Sequence, residues 1–376
     1  MAEVKLTADD VRRLLEDPSG EARAETAGKL ARHFEDAGLT EAERKLAEDI
    51  FRLMVRDAEV RVREALATNL KENPLVPHDV AMALARDVAA VSLPVLEFSQ
   101  VLSPADLIGI VRGHDPAKQK AVARRRDVEA EVADALVEEG DVEVAAALAA
   151  NAGAHLTDES LLKMVDRFGD DARVQDPLVH RAHLPVTVSE RLVHRVSEQL
   201  KDHILRNHEL PGDMAADLVL QSRERATITL STESSEDEVE ALILQMREHG
   251  RLTPSIILRA VCMGDLKFFE YAMAVSTGLT VLNVRQLIHD SGPLGLKGLY
   301  DKAGLPNGFY PAMRAAVDVA HETDYDGREN DRERYSRRML ERVLTQYGDL
   351  GVEFEHNDLE YLLAKMNQLP ATPLHD

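Results

Sequence analysis

The sequence predicts an all-α protein: a HEAT-like α-solenoid of short stacked helix pairs, followed by a helical C-terminal region. Three observations carry this. Apolar residues recur at helical spacing along nearly the whole chain, while β-branched and polar residues do not alternate over useful lengths. Helix starts are well marked: Thr40 with Glu43, Ser103 with Asp106 and Ser235 with Glu238 have the spacing of capping boxes, in which a hydroxyl and a carboxylate satisfy orphan backbone donors. Finally, Asp57, Asp87, Asp115, Asp141 and Asp171 recur at intervals of 30, 28, 26 and 30 residues, each followed eight positions later by a small or apolar residue, Ala65, Val95, Ala123, Ala149 and Val179. A short Ala-rich helix pair cannot bury its apolar face alone, whereas stacked neighbours can.

Taken in order, "DPSGEARAETAGKLARHF", from Asp17, reads as a degenerate first unit of the kind that caps a repeat array. In "DAEVRVREALATNL" the residues Val62, Ala65, Leu66 and Leu70 form one helical stripe. Ser103-Pro104 places Pro at the first helical position, where its missing N–H costs nothing. "DVEVAAALAANAGAHLTDESLLKMV" predicts an Asp cap, an Ala-rich helix, a turn of small residues and a second helix from Thr157. These units make up a repeat domain over residues 1–228.

The acidic cluster Glu233, Glu236, Asp237, Glu238 and Glu240 reads either as a linker or as a solvated helix start. A helical C-terminal domain is expected over 235–320. Within it, a helix opening at Thr253-Pro254 carries Ile257, Leu258, Val261 and Cys262 on one stripe. Gly264 then suits a helix end with positive φ, and Asp265 the N-cap of a helix whose apolar face holds Phe268, Ala272 and Val275. Over 321–376 the charged run "HETDYDGRENDRERY" reads as a connector, followed by terminal helices at 332–347 and 358–367.

Composition narrows the function classes. The 376 residues include 45 Lys and Arg against 67 Asp and Glu, a net charge of −22. Such a field repels phosphate backbones and anionic lipid, so nucleic acid and membrane are poor default partners. One cysteine excludes an intrachain disulfide and a thiolate metal cage. No apolar leader opens the sequence and no apolar run approaches the roughly 20 residues of a membrane span, which together imply a cytoplasmic protein.

Candidate sites follow. "KQKAVARRR" places Lys118, Lys120, Arg124, Arg125 and Arg126 together with no acid between them, a docking face for an acidic partner unless these residues pair with acids of neighbouring repeats. "DSGPLGLKGLY" carries Lys297 among Gly292, Gly295 and Gly298. It lacks the Gly-Lys-Ser/Thr of a phosphate loop, so the glycines read as a helix end and a close packing point. Cys262 falls near a helix C-terminus, where the dipole opposes thiolate formation, and reads as a core residue. His180 and His183, three apart, would share one side of a helix, but "LPV" after His183 breaks it and His194, His203 and His208 fall on different faces, which argues against zinc. No catalytic residue, cofactor or metal is expected.

The runs "CMGDLKFFE" and "GLKGLYDKAGLP", in this order after "LSPADLIGIVRGHDP", resemble a bacterial family catalogued as domain of unknown function 2336. The resemblance covers residues 45–320. It implies a helical, repeat-like structure and a bacterial origin, and brings no activity, cofactor or catalytic residue. The function expected is a non-enzymatic protein-interaction scaffold or regulatory adaptor whose partner is another protein or peptide. The alternatives are a sensor domain binding a small anion or nucleotide at Lys297 or Arg124–Arg126, and a HEAT-like nucleic-acid-acting enzyme, which the charge disfavours.

Overall fold

A computed structural model describes residues 19–34, 39–207, 212–290, 292 and 294–322. Among these the protein is all-helical, with no strand and a single isolated bridge between Val128 and Ala154. The chain forms two compact units, residues 1–182 and 183–376.

The first unit holds α1 (Gly20–His33), α2 (Glu41–Met54), α3 (Val60–Leu70), α4 (His78–Ala85), α5 (Ala89–Phe98), α6 (Pro104–Val111), α7 (Pro116–Ala123), α8 (Ala130–Glu139), α9 (Val142–Ala150), α10 (Asp158–Phe168) and α11 (Ala172–Val179). Each helix packs on its next-but-one neighbour. One layer runs α1, α3, α5, α7, α9, α11; in the other α2 meets α4, and α6, α8 and α10 follow one another. Two layers of short helices, each hiding its stripe against the next, make the stacked arrangement.

The repeated aspartates mark the start of every helix of the first layer after α1. Asp115 accepts from Ala117 N at 3.0 Å, Asp141 from Val144 N at 3.0 Å and Asp171 from Arg173 N at 2.9 Å, as N-caps of α7, α9 and α11. Asp57 and Asp87 stand just ahead of α3 and α5 and take guanidinium groups as well: Arg23 Nε donates to Asp57 at 2.8 Å and Arg63 Nε to Asp87 at 2.5 Å. The position eight residues later is less uniform. Val95, Ala123 and Ala149 are buried, whereas Ala65 is half-buried and Val179 exposed. On α3 the buried stripe is Val62, Leu66, Ala67 and Leu70, with Ala67 where Ala65 was expected. All three capping boxes form. Ser19 caps α1, accepting from Ala22 N at 3.3 Å.

The C-terminal ends of the same layer are tied by a second ladder. Arg125 donates to Leu96 O at 2.6 Å and Ser99 O at 2.7 Å, at the end of α5. Asn151 Nδ2 reaches Ala123 O and Arg125 O after α7, and Arg181 reaches Ala149 O, Asn151 O and Ala154 O after α9. Arg167 does the same for the carbonyls that end α8. The last carbonyls of a helix have no partner within it. Here residues of the following helices in the same unit supply the donors.

The second unit holds α12 (Val186–Asn207), α13 (Gly212–Glu233), α14 (Glu236–Glu248), α15 (Pro254–Cys262), α16 (Leu266–Thr277), α17 (Val281–His289), α18 (Gly295–Lys302), a 3-10 turn at Asn307–Phe309, and α19 (Tyr310–Glu322). α12 and α13 are 22 residues each, longer than the short helices expected. The division between units falls at 182/183, and the acidic run at 233–240 is the end of α13 and the capped first turn of α14, both inside the second unit. The core gathers around α15 and α16, with Phe268, Phe269 and Tyr300 fully buried. Apart from His321 and Glu322, which end α19, the 321–376 connector and its two expected helices lie outside the described residues.

Candidate functional site

The basic run of α7 is largely absorbed by the stack. Lys118 Nζ donates to Asp87 O at 2.7 Å, and Lys120 Nζ sits 3.1 Å from Glu143. Arg125 is half-buried over the end of α5, and burial pulls its pKa below the ordinary arginine value. Arg124 and Arg126 are exposed. Arg125 and Arg126 line a cleft of about 460 Å³, but Glu72, Glu97, Asp127 and Glu129 line it too. Four carboxylates against two guanidinium groups oppose a bound phosphate there.

Lys297 is engaged as well: its Nζ pairs with Asp301, lies 3.3 Å from Asn307 Oδ1 and stands 5.1 Å from the centre of the Tyr310 ring. Gly295 opens α18 where a Cβ would meet Asp290 Oδ2 at 2.9 Å. A Cβ at Gly298 meets nothing within 4 Å, so close packing does not explain that glycine.

Cys262 ends α15, the helix in which every residue is buried. Burial pushes its thiol up to about 12, and the nearby Arg259 charge only partly offsets this. The hairpin forms as its residues suggest, with Gly264 at φ 84° and Asp265 accepting from Phe268 N at 2.9 Å.

A polar cavity of about 390 Å³ in the second unit escaped the sequence reading. α12 brings Glu190, His194 and Glu198, four residues apart and so on one face. α13 brings Arg223, Glu224 and Thr227, and Arg251 and Ser255 close it from the start of α15 and the turn before it. Arg223 Nη1 donates to His194 Nδ1 at 3.1 Å and to Glu198 Oε1 at 3.0 Å. Behind, Arg259 and Ser255 both donate to Glu224 Oε2, at 2.7 Å and 2.9 Å. Glu190 is 2% exposed; its Oε2 lies 3.1 Å from Arg251 Nη2 yet accepts no hydrogen bond. Burial raises the Glu190 carboxyl against the lowering pull of Arg251. Burial and then the Arg223 charge hold His194 down to about 4. The four-residue spacing of Glu190, His194 and Glu198, matched by Arg251, Ser255 and Arg259, was the available signal. It reads equally as a solvated face.

Of the histidines weighed for zinc, His180 Nδ1 lies 2.6 Å from Asp176 O and His194 meets Arg223; His208 lies outside the described residues. Among the described residues no three His, Cys, Asp or Glu side chains are grouped to hold a metal ion. No described helix is long and apolar enough to cross a membrane.

Comparison with known families matches residues 91–353, well over half the chain, to the family described as "uncharacterised protein conserved in bacteria (DUF2336)", and the chain belongs to it. The match begins further along than the resemblance at 45–320 and extends beyond it. No curated protein and no solved structure matches.

Proposed function

We propose that this member of the family is a non-enzymatic protein-interaction module whose docking surface lies on the first unit. The observation that carries the reading is an apolar stripe left exposed among the described residues. On α2, Leu46 is 62% and Leu53 74% exposed, seven residues apart on one face, with the half-buried Ile50 between them. The adjoining face of α2 is seated through Ala47 and through Phe51, whose ring meets Phe34 edge-on at 5.1 Å. An apolar stripe at this spacing suits a helix of another protein laid alongside, and the net charge of −22 favours one flanked by Lys and Arg. The basic residues of 118–125 add little to this surface, because Lys118 and Arg125 are spent on backbone carbonyls and Lys120 is paired with Glu143.

The test is affinity capture from a bacterial lysate with the wild-type chain and with Leu46→Glu/Leu53→Glu. Both positions are exposed, so the variant keeps the wild-type circular dichroism and Tm. It is expected to lose the retained partner, and retention of the same partner at the same yield contradicts the reading.

A further inference from the structure

We propose that the cleft beside the last turn of α5 receives a lysine or arginine side chain from a segment of another protein. The inference rests on reading the first unit as an interaction module, and adds to the α2 stripe a contact of different chemistry. The cleft, about 460 Å³, lies within the first unit, where the end of α5, the start of α6 and the turn from α7 into α8 meet. Leu102, Leu107 and Val132 give it a buried apolar wall, and Phe98, 42% exposed, lines it as well. A long cationic side chain lays its methylene stem on such a wall and keeps its charged end on a polar rim.

The charge of the rim selects the sign of the guest. Of its two guanidinium groups, Arg125 is spent on Leu96 O and Ser99 O, while Asp127 and Glu129 pull on its charge. Arg126 is exposed. Of its four carboxylates, Asp127 meets His155 Nε2 at 2.9 Å and Glu72 lies 3.7 Å from Lys71 Nζ. Glu97 and Glu129 have no ion-pair partner among the described residues. The balance is negative, which draws a cation and repels an anion.

Phe98 points to the same guest independently of the carboxylates. Lys71 Nζ stands 3.9 Å from the centre of its ring, so an ammonium of the chain itself already rests on it. The face of an aromatic ring attracts a cation through its quadrupole. An exposed ring, an apolar wall and unpaired carboxylates together match the stem and the tip of a lysine or arginine.

Fluorescence anisotropy with labelled pentapeptides tests it, leucine standing on either side of a central arginine, lysine or glutamine. The arginine and lysine peptides are expected to bind and the glutamine peptide not, and the tighter of the two identifies guanidinium or ammonium as the better fit. Glu97→Gln/Glu129→Gln is expected to weaken that peptide roughly tenfold, and Glu240→Gln/Glu248→Gln, the same charge change at exposed positions of α14, to leave it as in wild type. Arg126→Gln, at an exposed position, is expected to tighten it, which keeps the test open should the first double variant fold poorly. Leu46→Glu/Leu53→Glu is expected to retain the peptide, so failure of the cleft and failure of the α2 surface are read separately. The proposal is overturned if neither cationic peptide binds at millimolar concentration, if the glutamine peptide binds as well as they do, if the cleft pair and the α14 pair weaken binding equally, or if Arg126→Gln weakens it.

Discussion

Arg259 Nε donates to Glu224 Oε2 at 2.7 Å, with both side chains only 4% exposed. Ser255 Oγ donates to the same oxygen at 2.9 Å, so the carboxylate between α13 and α15 is held by two donors. Removing one member of a buried pair strands the other charge, which costs about 3–5 kcal/mol, whereas an apolar pair of similar volume can be neutral. Glu224→Gln is therefore expected to lower the urea midpoint of the second unit sharply, and Glu224→Met/Arg259→Met to recover most of it. Equal loss in single and double variants would mean that packing, not charge, holds this site.

Arg125 and its neighbours separate structural from surface charge. Arg125→Ala strands two carbonyls at the end of α5, at a cost of about 1–3 kcal/mol. Arg124→Ala and Arg126→Ala, exposed on the same turn, are expected to stay within about 0.5 kcal/mol of wild type. Denaturant unfolding of the three single variants checks the contrast.

The pH dependence of the second unit should carry the signature of His194. Its folded pKa, about 4, lies below the ordinary 6.5, so the native state binds fewer protons than the unfolded one between these values. The stability linked to the neutral ring is fully present above about pH 6.5 and is lost as pH falls toward 4. Glu198 opposes the shift, while Arg223, Arg251 and Arg191 reinforce it. An NMR titration of the His194 ring is expected to show a midpoint near 4, and His194→Gln to flatten the stability profile across the window. A midpoint near 6.5 would remove the effect.

Cys262 should be inert in the folded chain. With its thiol at about 12, only about one molecule in ten thousand is thiolate at pH 8, and the side chain is buried. Ellman's reagent is expected to modify it rapidly in urea and hardly at all without. Fast modification of the native chain would show that α15 opens.

Local chemistry was legible in the sequence. Ser103 with Asp106, Asp141 ahead of its Ala-rich helix, and the Gly264–Asp265 turn each act within four residues, so spacing alone reveals them. The ladders were half legible. The aspartates announce themselves by their period, but that Arg125 would turn back to Leu96 O depends on how one helix of the first layer stacks on the last. Least legible was the second-unit cavity. Glu190 and Arg251 stand 61 residues apart, and only the packing of α12 against α14 and its following turn makes their charges a buried pair. On a single helix the same residues look like any solvated face.

The docking surface on α2 is tested most directly by hydrogen exchange on the chain alone and saturated with its captured partner. Added protection is expected in α2, centred on Leu46 to Leu53, and in α4, which packs beside it. Protection confined to the second unit, with α2 exchanging as fast as in the free chain, would contradict it.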